Sequence, residues 1–185
     1  MHLFKSLVDM GMARLGRGLI EVNTYYQDRP LAAPMAVLDC IAGAENLIRG
    51  RILETIEYDA TQKVRSTEDL IVQQLLVGSR KYSFQLLPEE LKLASKYEMK
   101  NVERYQEFGL LRTRLFKKLF EQSELIELTY RFCYEVIEPV AFHFYEEQIL
   151  NHVPGKNKDE LHEEVHGYWQ AFGISPEYEM LENEE

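Results

Sequence analysis

A single carboxylate in the middle of an apolar helical seam limits what this chain can fold into more than any other feature. Over residues 36–54, reading AVLDCIAGAENLIRGRILE, the residues Leu38, Ile41, Glu45, Ile48 and Ile52 recur at steps of three and four, which puts all of them on one helix face. Four of the five are apolar, and Glu45 sits at their centre. Burying an isolated carboxylate costs far more than a packed leucine gains, so Glu45 must be paired, hydrogen-bonded or protonated. The spacing therefore predicts an assembly of several helices in which a neighbour brings a cation or a donor to position 45.

Most other segments carry the same period. Phe4, Val8, Met12, Leu15, Leu19, Val22 and Tyr26 form one stripe. Gly11, Gly16 and Gly18 weaken that helix by up to about 1 kcal/mol each against Ala, and either split it or admit another backbone at close range. Arg29-Pro30 and Ala33-Pro34 punctuate the chain before the seam helix, because residues preceding proline avoid helical angles. The seam helix is expected to run to Tyr58. Residues 61–67 read as a polar loop whose Ser66 or Thr67 caps a short helix over 68–77. The β-branched content of 68–77 and the alternation of Tyr82, Phe84 and Leu86 leave a hairpin as the alternative there. Pro88-Glu89-Glu90 opens a helix that reaches Phe108, with Gly109 as its terminator.

Residues 110–120 form another amphipathic turn set, and Ser123 opens a long aromatic-rich helix that Pro139 must break or kink. Residues 151–157, with Pro154-Gly155, are the clearest linker; Leu161, Val165, Tyr168 and Phe172 make a last stripe ending at Gly173. The expectation is an all-α helical bundle of five to seven helices. Residues 1–152 form the bundle, and 153–185 supply a linker, a C-terminal amphipathic helix and an acidic tail that pack on it.

Composition narrows the setting. At 185 residues with 45% hydrophobic content the chain suits one domain with a sizeable core. Cys40 and Cys133 lie inside apolar helical patterns and read as small core residues of a reducing compartment, without a supported disulfide. No secretory h-region and no uncharged stretch near the ~20 residues of a membrane span is present. A cytoplasmic protein without membrane contact is the expectation. The net charge of −10 is uneven: no Lys or Arg follows Lys158, while nine carboxylates do, so residues 1–158 are close to neutral. The acidic end reads either as a solvated terminus or as a segment that docks on a basic partner or on a basic groove of its own body.

Few constellations carry chemistry. No nucleophile elbow is present, and Gly11–Gly16 is followed by Arg17-Gly18 where a phosphate loop needs Lys and Ser or Thr. No cofactor is expected. A helical-bundle metal enzyme is the alternative, with Glu45 as a single carboxylate and Glu163-x-x-His166 as one matching pair; the second pair is missing, and His143-x-x-Glu146 has the order reversed. Lys92, Lys96, Lys100 and Arg104 recur at steps of four, and Arg112, Arg114, Lys117 and Lys118 follow, which suits a run of phosphates. The glutamates among them, Glu89, Glu90, Glu98, Glu103 and Glu107, equally suit a salt-bridged solvated face.

The seam helix and the helix after Pro88 together resemble the HEPN superfamily over residues 33–108. The stretch from Ile41 to Leu53 has the shape of the family's long helix, an apolar run followed by Glu and a Leu- and Arg-rich continuation. The family's ribonuclease site is an Arg, a polar residue, three variable positions and a His, shared across a dimer. Here Lys100 stands for the Arg, Asn101 for the polar residue and Tyr105 for the His, with Arg104 beside them. Tyr does not titrate near neutral pH as imidazole does, and Lys lacks the forked donation of Arg. The resemblance thus implies a non-catalytic, homodimeric helical protein of prokaryotic or phage defence, toxin or regulatory biology that binds RNA or a protein partner. Its site residues would be Glu45, Lys96, Lys100, Asn101, Arg104 and Tyr105, with Glu45 paired to Lys100 or to an Arg of a neighbouring helix.

Overall fold

Two glycines decide how the first two helices meet. In a computed structural model, which describes residues 3–23, 31–60, 83–115, 117, 120–155 and 158–175, helices α1 (Leu3–Asn23) and α2 (Ala32–Ala60) pack antiparallel. A Cβ on Gly11 would fall 2.8 Å from the Gly43 carbonyl oxygen, and one on Gly43 the same distance from the Gly11 oxygen. Any side chain at either place would hold the backbones apart, so the glycines serve close approach and leave α1 unsplit. The contact buries Val8, Met12, Leu15, Leu19 and Val22 of α1 against Ile41, Leu47, Ile48 and Ile52 of α2. Tyr26 lies outside the described residues. Pro34 does not precede α2 but sits in its first turn, where an N–H would lack an intrahelical acceptor in any case.

Six helices and no strand make up the described residues, and none of these helices is long and apolar enough to cross a membrane. The loop, short helix or hairpin expected over 61–82 falls outside them, but Phe84–Leu86 forms a 3₁₀ turn rather than the end of a strand. That turn leads into α3 (Leu87–Ser95), with Pro88 in its first turn.

The helix expected to run from Pro88 to Phe108 is instead two. Lys96 and Asn101 take left-handed angles, φ 64° and 53°, and α4 begins afresh at Val102–Arg114. Ser95 supplies local alternatives to the helix, donating to the Leu91 carbonyl at 2.7 Å and accepting from the Tyr97 N–H at 3.3 Å. The strap 96–101 then buries Met99 and lays Tyr97 across His143 and Phe144, with ring centroids 4.6 and 5.1 Å away. Tertiary burial outweighs a periodicity that reads as one helix.

Gly109 does not end a helix either. It is buried inside α4, and the Phe84 ring occupies the space its side chain would need. Of the turn set expected over 110–120, residues 110–114 are the end of α4 and Leu115 is its C-cap, while 116, 118 and 119 lie outside the described residues.

Helix α5 runs over 122–145 without interruption. It is α-helical over Gln122–Phe132, π-helical over Cys133–Ile137 and α-helical again over Glu138–Tyr145. Pro139 is accommodated rather than disruptive. Ahead of it the Glu138 N–H bonds the Cys133 carbonyl five residues back, and the Glu135 carbonyl, which a proline cannot serve, accepts a 3.0 Å hydrogen bond from Asn101 Nδ2. A second 3₁₀ turn, Ile149–His152, packs its last carbonyl onto Gly16 of α1.

Helix α6 (Lys158–Phe172) returns over α5. Trp169 meets Tyr134 edge-on at 5.0 Å, Tyr168 lies 4.7 Å from Tyr130, and Val165 and Ile174 join the core. The helix stops at Gly173, whose φ of 63° lets the Ile174 N–H turn back to the Trp169 carbonyl at 2.8 Å. The acidic residues past 175 lie outside the described residues. Cys40 and Cys133 are both buried and free.

Candidate functional site

The seam carboxylate is neutralised by α4. Arg112 donates to Glu45 through both terminal nitrogens, Nη1 to Oε1 at 3.0 Å and Nη2 to Oε2 at 2.6 Å, the forked pairing that a lysine cannot make. Arg49, one turn on along α2, adds a second cation 3.7 Å from Oε1. Of the two kinds of partner expected for Glu45, the structure supplies the arginine of a neighbouring helix. The Arg112 guanidinium also stands 5.5 Å over the Phe84 ring, and Phe84 stacks flat on Tyr105 with centroids 4.0 Å apart. Gly109 makes this layering feasible.

Tyr105, placed where the resemblance put a histidine, is fully buried in the layer. Its hydroxyl has no hydrogen-bond partner among the described residues. Burial raises the phenol pKa well above its ordinary value, and the Glu45 charge raises it further, against a smaller opposing effect of Arg112 and Arg49. A group so placed neither gives nor takes a proton near neutral pH.

The proposed basic strip does not form, because α3 and α4 are separate helices. Lys92 pairs with Glu98 at 2.6 Å. Lys96 caps α3, and its ammonium reaches only the Leu93 carbonyl at 3.5 Å. Lys100 is exposed in the strap. Arg104, on α4, turns towards α5 and pairs with Glu135. Nor are Glu45, Glu163 and His166 among any group of potential metal ligands in the described residues. Arg112 holds both oxygens of Glu45, Glu163 is exposed on α6, and the His166 ring stands 5.9 Å from Trp169. Among the described residues no three His, Cys, Asp or Glu side chains gather in a way that would hold a metal ion.

What the structure does bring together is a groove between α4 and α5. Its volume is about 710 Å³. Phe108, Leu110 and Leu111 of α4, with Phe120 and Leu128, line it with apolar surface; Arg104, Glu107 and Arg114 edge one side and Glu124, Glu127 and Arg131 the other. A smaller recess of about 310 Å³ shares Arg104 with it and is lined otherwise by Asn101, Tyr134, Glu135, Pro139 and Ser175.

Glu135, in the π-helical segment, anchors the junction. Arg104 pairs with one of its oxygens, and Arg131 Nη1 donates to the other at 3.0 Å. Arg131 also donates to Glu127 at 2.9 Å and to the Phe172 carbonyl, tying α6 to the groove wall. Asn101 closes the same corner through its bond to the Glu135 carbonyl.

Of the residues singled out in the sequence, the structure gathers Glu45 with Tyr105 in the buried layer and Asn101 with Arg104 at the groove, and leaves Lys96 and Lys100 apart. Sequence reasoning missed Arg131, Glu135 and Phe84. Glu127, Arg131 and Glu135 follow one another at steps of four, the spacing of opposite charges that face each other on a helix. Phe84 carried no such signal.

No family model, no curated protein and no solved structure matches the chain.

Proposed function

We propose that this chain is a non-catalytic helical interaction module that holds a protein segment in the groove between α4 and α5. One observation carries the reading: the groove combines an apolar floor with a rim on which Arg104, Arg114 and Arg131 alternate with Glu107, Glu124 and Glu127. Apolar anchors inside a mixed polar rim are how protein segments are recognised. A polyphosphate chain favours a rim of one sign, whereas here Arg104 and Arg131 are already paired with Glu135, and Glu107, Glu124 and Glu127 line the same groove. The buried, protonated Tyr105 supports a binding role over catalysis. Among HEPN-like readings this is the protein-binding one, with RNA as the alternative partner.

The experiment places a photo-crosslinking amino acid at Leu110 in the groove and, as control, at Lys5 on α1, in the chain expressed in its own host. Polypeptide adducts at 110, absent at 5 and lost when Leu128→Asp is added, are the expected result. Adducts that are chiefly RNA, weakened in high salt, would replace the reading with nucleic-acid binding.

A further inference from the structure

The last described residue lies in the recess beside the groove. Ser175 lines the smaller recess, which shares Arg104 with the groove, so position 176 follows directly on a residue beside the groove. From Arg104 to Arg114 the groove follows ten residues of helix, about 15 Å, and ten residues of extended chain span up to about 33 Å. The segment is therefore long enough to run the whole groove.

Its chemistry suits the surface it would meet. PEYEMLENEE carries Tyr178, Met180 and Leu181 among five glutamates. Phe108, Leu111 and Leu128 offer apolar contact along the way. At the far end Arg114 makes no ion pair among the described residues, and neither does the exposed Lys117 beyond it. Glu107 and Glu124 stand on the same rim, so the complementary charge is local to the Arg114–Lys117 end, where the last glutamates would arrive. The other arginines of the groove, Arg104 and Arg131, are already paired with Glu135.

We propose that residues 176–185 lie in the α4–α5 groove of their own chain, with Tyr178, Met180 and Leu181 on its floor and the terminal glutamates at Arg114 and Lys117. The inference rests on the groove being a protein-binding site, and it makes this segment of the same chain the competitor that an outside partner must displace. Binding would then be self-limited. A partner gains access in proportion to the fraction of time the segment is out.

Paramagnetic relaxation in the full-length protein tests this. Cys40 and Cys133 are buried, so a nitroxide attached to Asn183→Cys labels the segment selectively. Amides of 107–114 and 124–131 should lose peak intensity severalfold, while those of 8–22 keep theirs. The loss should vanish in full-length chains carrying Tyr178→Ser, Met180→Ser and Leu181→Ser, and weaken with Arg114→Glu and Lys117→Glu. Those last substitutions are on the surface and leave the core untouched. Mixing nitroxide-labelled chain without ¹⁵N with unlabelled ¹⁵N chain separates the sources: broadening confined to that mixture would show a second copy's segment in the groove and overturn the proposal.

Absence of selective broadening overturns it too. If adducts at 110 persist in that case, the groove reading stands and only its occupant is wrong. If broadening is seen but no partner cross-links appear even in the Tyr178, Met180 and Leu181 variant, the segment belongs in the groove and the reading of an outside partner fails.

Discussion

Replacing Arg112 with Ala removes both forked donors from Glu45 and leaves only Arg49, 3.7 Å away. Deleting one member of a fully buried pair costs about 3–5 kcal/mol, and an exposed pair contributes only about 0.2–1 kcal/mol. This pair lies between, with 12% of the Glu45 side chain exposed and 38% of Arg112. Arg49 continues to share the charge, so the expected loss is about 2 kcal/mol. For a chain of 185 residues that is a Tm lower by about 4–8 °C.

The informative companion is the double variant Glu45→Leu with Arg112→Leu. A well-packed apolar pair replaces a half-buried ionic one at little cost, so the double variant should recover most of the stability that Arg112→Ala loses. Arg112→Lys should fall in between, keeping the charge without the fork. Urea unfolding followed by circular dichroism, at unchanged m, measures the wild type, Arg112→Ala, Arg112→Lys, the double variant and the single variants Glu45→Leu and Arg112→Leu. If the two single leucine substitutions simply add in the double variant, with coupling under about 0.5 kcal/mol, the seam carboxylate is not held by Arg112 and the reasoning fails.

Three further outcomes follow from groups already described. Tyr105→Phe deletes a buried hydroxyl that has no partner among the described residues, so thermal unfolding should shift upward, by about 1 kcal/mol of added stability; a loss instead would show that the hydroxyl is hydrogen-bonded. Asn101→Gly keeps the left-handed backbone but loses the bond to the Glu135 carbonyl, whereas Asn101→Ala loses both, so denaturation midpoints should rank Asn above Gly above Ala, with about 1 kcal/mol for the bond. Burial raises the phenols of Tyr105, Tyr130 and Tyr145. The folded chain therefore binds more protons than the unfolded one above about pH 10; their contribution is complete below that pH and is lost as pH rises. In an alkaline titration part of the tyrosinate absorbance should appear only with unfolding, and a smooth titration of every tyrosine in the folded state would refute it.

Helix type was legible along most of this chain because the apolar residues that build its core repeat at helical spacing, and α1, α2 and α6 follow those stripes closely. The position of Glu45 also announced a cation, since charge burial admits few solutions, though not which arginine would arrive. Boundaries near 96–101 were not legible. The stretch from Pro88 to Phe108 contains neither Gly nor an internal proline, and the residues that end α3 do so because Tyr97 and Met99 find better burial off the helix, a tertiary effect with no local mark. Gly109 carried the opposite lesson. A glycine in a helical run looks like a stop, and here it is the space into which Phe84 fits. The basic strip failed for the same reason as the long helix, because steps of four mean one face only while the helix lasts.

The carbonyl of His152 resting on Gly16 has a bearing on how this chain is made. The α1–α2 hairpin needs only its own residues and can close while the ribosome is still at work. The seat at Gly16 stays open until a segment 136 positions later emerges; at about 5–20 residues per second that is on the order of ten seconds. For that interval the first helix is finished on one flank and bare on the other, and early chaperone contact with a nascent chain of this sequence should concentrate on the bare flank.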